Sequence, residues 1–106
     1  MAQFDVHRNP GRNRGDIPYV VVLQSAVFAG YQRRVVIPLV RKSQLGTIHH
    51  AGFNPGFTIK GVAVVLHPLE IVSVPASVLG EPIASLAAQG DRIIAAMDEL
   101  LTRTYG

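Results

Sequence analysis

Residues 33–40, RRVVIPLV, constrain this chain more than any other segment. In an extended strand alternate side chains take opposite faces, so Val35, Ile37 and Leu39 share one side while Val36 and Val40 share the other. A strand that is apolar on both faces is usually central. Pro38 argues against a central place, because it has no N–H for a ladder and belongs on an edge or at a bulge. Two arginines stand at the entrance. Any fold assigned to the chain has to accommodate this contradiction.

The length of 106 residues suits one domain, 1–106. A chain of this size buries roughly 60–70% of its unfolded surface, enough for one core. Apolar residues make up 48% and charged residues only 16%, so part of the Val- and Ile-rich surface is expected to lie against a partner. Homodimerisation is the simplest form, since a self-complementary patch needs one sequence; the alternative is a well-filled monomeric core. With no cysteine, disulfides and thiolate metal sites are excluded and a reducing cytoplasm is compatible. The start, MAQFDVHRNP, lacks the apolar run of a signal peptide, and no stretch approaches the ~20 apolar residues of a membrane span. A net charge of +3 is a weak pointer to anionic partners.

Along the chain, QFDVH (3–7) is expected to open the sheet. RNPGRNRGD (8–16) follows as a mobile loop or a long hairpin connection. In 17–25, IPYVVVLQS, Tyr19, Val21 and Leu23 fall on one side and Val20 and Val22 on the other. The stretch 41–56 is loop-rich. FTIKGVAVVLH (57–67) is a hairpin with Lys60-Gly61 as its two-residue turn, and 69–80 is a last strand stopped at Pro75. The period then changes: across 85–103, Ile93, Met97, Leu100 and Leu101 recur at helical spacing with Ile94 alongside. Gly90 marks a break, and Asp91 suits a helical start. Short strands followed by one helix indicate a mainly β protein, a small barrel or twisted sheet with a helix on its side.

Catalytic chemistry has no visible address. His49 and His50 are adjacent, so on extended backbone they point apart and do not chelate one ion. His7 and His67 read as strand-end residues, and the seven carboxylates are scattered. Neither a serine-nucleophile motif nor a phosphate-cradling glycine loop is present. The arginines of the first loop, Arg8, Arg12 and Arg14, are the better functional candidates. A basic loop can meet phosphate, or an acidic segment that orders on contact; it can equally be a solvated loop kept soluble by charge. No aromatic residues interleave with these arginines, which disfavours a base-stacking platform.

Read in order, QF (3–4), LQS (23–25), RRVVIPL (33–39), FNPGFTIKG (53–61), VSVP (72–75) and DRIIAAMDELL (91–101) resemble the CcdB family of bacterial toxins. The resemblance covers nearly the whole chain, with RRVVIPL and VSVP its most specific pieces. It implies an SH3-like β barrel with a small β wing and one C-terminal helix, forming a homodimer. Both faces of a strand are covered in such an assembly, and a proline is tolerated where the strand bends away from its neighbour. Members of the family catalyse nothing and use no cofactor or metal. They bind the DNA gyrase A subunit in the cytoplasm and trap it with its DNA cut, which amounts to gripping one conformation of a moving machine. A cognate antitoxin neutralises them by laying its disordered C-terminal tail across the dimer. Sequence-specific nucleic acid binding and membrane association are not implied.

The family's gyrase contact is the end of the last helix, finishing in Trp-Gly-Ile in its best-studied form. Here Thr102, Arg103 and Thr104 stand in that register, and Tyr105-Gly106 follow. Three residues amount to about 300° and roughly 4.5 Å along a continued helix, so Tyr105 would face nearly the same way. The expected gyrase-binding residues are Thr102, Arg103, Tyr105 and Gly106; those expected to meet the antitoxin are Arg8, Arg12 and Arg14. An endoribonuclease toxin is the alternative, because an RNA-cleaving family shares this barrel. It would need His7 with the basic loop, or His49-His50, to act on phosphate. A relative that keeps fold and antitoxin binding without toxicity is a further alternative.

Overall fold

The computed structural model describes residues 2–45 and 52–102. Among them are the strands β1 (Asp5–Arg8), β2 (Tyr19–Val22), β3 (Arg33–Arg41), β4 (Gly56–Ile59), β5 (Val62–Leu66), β6 (Val72–Pro75) and β7 (Ala84–Ser85), followed by helix α1 (Gly90–Thr102). The strands form one antiparallel sheet in the order β4-β5-β3-β2-β1-β7, with β6 off this path beside β3. The protein is thus mainly β, with a nearly closed, barrel-like sheet and one C-terminal helix.

Strand β3 resolves the contradiction of Pro38. The Leu23 N–H donates to Val35 O at 2.9 Å, so the main chain of residues 35, 37 and 39 turns toward β2, while that of 34, 36, 38 and 40 turns the other way. On that second side β3 pairs first with β6, as far as Val36 opposite Val72, and then with β5, starting at Leu39 opposite Leu66. Pro38 lies between the two partners. Its carbonyl still accepts the His67 N–H at 3.1 Å, and its missing N–H falls where one neighbour gives way to another. The proline marks a change of partner.

Both faces of β2 and β3 are covered, as their sequences require. Tyr19, Val21, Ile37 and Leu39 join Val6, Val64 and Leu66 in the main core, capped by Ile93, Ala96 and Met97 of α1. Val20, Val22 and Val36 form a second, smaller cluster with Leu79 on the opposite face. The start of helix α1 lies near both end strands of the sheet, β7 and β4. It leaves β7 through a turn of 3₁₀ helix at residues 87–89, and Arg92 reaches β4, donating to Gly56 O at 2.8 Å and lying 4.5 Å above the Phe57 ring. The Lys60-Gly61 turn is as the sequence indicates, with Ile59 opposite Val62 and positive φ at both residues.

The outer edge of β6 is guarded. Ala76 N–H donates to Gln32 O, so Ser73 and Pro75 direct their main chain away from β3. Arg33 donates to Ser73 Oγ at 2.7 Å and to Ser73 O at 2.8 Å, and Pro75 has no N–H to offer.

Several expectations are corrected. Strand β1 begins at Asp5 and takes in Arg8, which sits opposite Tyr19 rather than in the loop. The helical pattern does not hold from residue 85. Ser85 pairs with Asp5, and Leu86 N–H donates to Phe4 O at 2.9 Å, so pairing with the β1 region captures these residues before the helix starts. His7 is a fully buried residue inside β1. Ile94 and Leu101 belong to the exposed side of α1, while Ala96 takes a core position.

Candidate functional site

The segment joining β2 to β3 carries the most conspicuous surface of the described residues. Val27 is 78% exposed, Phe28 49% and Tyr31 69%, three large apolar side chains within five residues. Clustered apolar exposure of this kind makes a candidate contact surface. The tip has a definite shape. Ser25 Oγ accepts the Val27 N–H and starts a turn of 3₁₀ helix over Ala26–Phe28; the Phe28 and Tyr31 rings tilt together at 6.0 Å. Gln24 ties the ends: its Oε1 accepts the Val35 N–H at 2.7 Å, and its Nε2 donates to Arg33 O at 3.2 Å. The available signal in the sequence was AVF followed by Tyr31, apolar residues where a turn normally carries polar ones.

The basic connection between β1 and β2 is a long hairpin connection with its own hydrogen bonds. Asn9 organises it, accepting from Gly11 N–H at 2.9 Å and donating to Arg12 O at 3.0 Å and Ile17 O at 2.9 Å. Arg14 Nε donates back to Gly11 O at 3.2 Å, and Arg41 holds Gly15 O at 2.7 Å. Arg8, Arg12 and Arg14 are all exposed. Arg12 rims an apolar concavity of ≈ 400 Å³, floored by Val20, Val36 and Pro38 and walled by Val72 and Val78. None of the described residues lining it is acidic. The loop thus pairs positive charge with a greasy cleft.

The helix end is the third surface. Leu101 is 66% exposed and Thr102 is exposed, with the Thr102 hydroxyl donating to Asp98 O. Arg103, Tyr105 and Gly106 lie outside the described residues, as do His49 and His50.

Among the described residues, His7 is not available as a catalytic group. His7 is 0% exposed, with Nδ1 2.8 Å from Gly80 O and Nε2 buried without a partner. A sealed imidazole cannot reach a phosphate, so its pairing with the exposed loop arginines is overturned. Among the described residues, no group of three His, Asp or Glu side chains converges to hold a metal ion, and no helix is long and apolar enough to cross a membrane.

The family model for the CcdB protein matches residues 3–103. The chain belongs to the CcdB family. No curated protein matches it. Membership marks this CcdB-family chain as the toxin of a toxin–antitoxin pair, a class that acts without enzymatic chemistry. A surface built of an apolar tip, a basic cleft and a helix end is consistent with work done by binding.

Proposed function

We propose that this chain poisons DNA gyrase in the cytoplasm. As a homodimer it grips the gyrase A subunit in the state with its DNA cut, and a cognate antitoxin with a disordered C-terminal tail reverses the grip. The observation that carries this reading is the family match over residues 3–103. Three surfaces divide the partners between them by chemistry. The basic cleft under Arg12, with Arg8 and Arg14 on the same hairpin, suits an antitoxin segment that alternates acidic and apolar side chains. The apolar tip of Val27, Phe28 and Tyr31 and the helix end, through Thr102, Arg103, Tyr105 and Gly106, are then left for gyrase. Tyr105 supplies the planar anchor, with a polar end, that interface hot spots favour.

Purified protein added to gyrase, ATP and supercoiled plasmid is expected to accumulate linear DNA after denaturing work-up, and pre-mixing with the antitoxin should abolish it. Ordinary supercoiling at saturating protein refutes gyrase poisoning. If antitoxin binding persists in that case, the chain is a family member whose altered Thr-Arg-Thr register has cost it toxicity.

A further inference from the structure

Directly beneath the apolar tip lies a cation that stability alone does not explain. Arg34 is 7% exposed, and all of its partners among the described residues are main-chain carbonyls. Nη1 donates to Tyr31 O at 2.5 Å and Arg33 O at 2.9 Å, and Nη2 donates to Ala29 O at 2.8 Å. Its Nε is buried with no acceptor. Removing a guanidinium from water without a counter-charge is costly, and an apolar side chain of similar size is often the more stable choice there. The fork is therefore poorly placed for stability and well placed for shape. Its two nitrogens span three carbonyls of one short segment, a geometry that one ammonium group cannot reproduce.

We propose that Arg34 is a positioning residue that acts through this segment, holding the 29–33 main chain so that Val27, Phe28 and Tyr31 are presented to gyrase already in their bound arrangement. The inference rests on the reading above that the tip meets gyrase. An apolar loop without such a brace samples many shapes in water, and ordering it on contact subtracts from affinity. Gln24 closes the segment from the β2 side, and Arg34 closes it from below. Between them they leave the three apolar side chains few ways to retreat from solvent.

The test uses the full chain carrying Arg34→Met or Arg34→Lys, with Phe28→Ser as a separate probe of the tip. Amide hydrogen exchange is measured residue by residue, thermal unfolding is recorded, and the concentration giving half-maximal plasmid cleavage by gyrase is determined for equal amounts of folded protein. In Arg34→Met, exchange at residues 27–32 is expected to accelerate at least about tenfold, with strands and helix unchanged. The cleavage half-point is expected to rise about tenfold without a matching fall in the unfolding midpoint. Arg34→Lys should fall between; it carries the test should Arg34→Met not fold. Unchanged exchange at 27–32 overturns the brace whether or not gyrase responds. Faster exchange with undiminished potency overturns its role in recognition. A Phe28→Ser protein that still poisons gyrase at wild-type concentration removes the tip from the gyrase contact, a failure of the underlying reading that the exchange data identify separately.

Discussion

A methyl group placed on Gly90 would sit 2.5 Å from Cε2, 2.9 Å from Cδ2 and 3.1 Å from Cζ of Phe4. The main chain that carries the ring is held in place. Phe4 holds φ at 68°, donates its N–H to Val22 O at 2.7 Å and accepts the Leu86 N–H at 2.9 Å; it is also packed against the main core. Gly90 itself has helical φ and ψ of −56° and −33°, so alanine fits the backbone there. Helix propensity favours Gly90→Ala by at most about 1 kcal/mol, and less at a first turn. Overpacking an ordered contact costs about 1–3 kcal/mol. The clash therefore wins, and Gly90→Ala should destabilise by about 1–2 kcal/mol. Urea unfolding should show this as a lower midpoint with an unchanged slope. The decisive comparison is a double-mutant cycle with Phe4→Leu, which shortens the offending side chain. On that background Gly90→Ala should be neutral or stabilising, giving a coupling of about 1–2 kcal/mol. A Gly90→Ala protein as stable as the parent refutes the steric reasoning, and so does a cost that persists beside Leu at position 4.

Other outcomes can be checked in parallel. Met97→Asp would put a carboxylate into the main core beside Ile93 and Ala96; a loss of about 3 kcal/mol or more, or no cooperative unfolding at all, is expected in a thermal melt. Lys60 occupies φ 52° in a two-residue turn whose partner Gly61 has φ 79°, a pair that favours Asn-Gly, so Lys60→Asn should raise stability by about 0.5–1 kcal/mol in urea titration. Tyr105→Ala should abolish plasmid cleavage by gyrase while leaving the unfolding midpoint within about 1 °C in a thermal melt. Reversing Arg12 and Arg14 to Glu should weaken antitoxin binding at least about tenfold by calorimetry, more so at low salt, and leave gyrase poisoning intact.

The sheet was largely legible because its strands alternate cleanly. YVVV and RRVVIPLV each assign two apolar faces, and the two clusters on either side of β2 and β3 follow from that alternation. The hairpin at Lys60-Gly61 was legible from turn chemistry. Residues 85–89 were misread since SLAAQ has helix-forming composition, and only pairing at long range, Ser85 with Asp5, draws its first residue into strand and leaves 87–89 as a 3₁₀ turn. His7 shows the same limit: a polar residue in a short strand looks exposed until a carbonyl 73 positions away accepts or caps it. The basic hairpin was found from composition, but its apolar cleft needed β6 to be brought beside β3. The tip has no signature in strand alternation: AVFAGYQ (26–32) connects two strands, and only the fold shows that Val27, Phe28 and Tyr31 stay outside the core.

The closed border of β6 restricts how a partner can dock. With the Ser73 carbonyl occupied by Arg33 and Pro75 lacking an amide hydrogen, two of the four outward main-chain groups of Ser73 and Pro75 are withdrawn from an incoming chain. A tail arriving beside it has to be recognised by what its side chains are, through charge at Arg12 and grease below, and not by lengthening the sheet. The same margin gives other copies of the chain a poor place to add a strand.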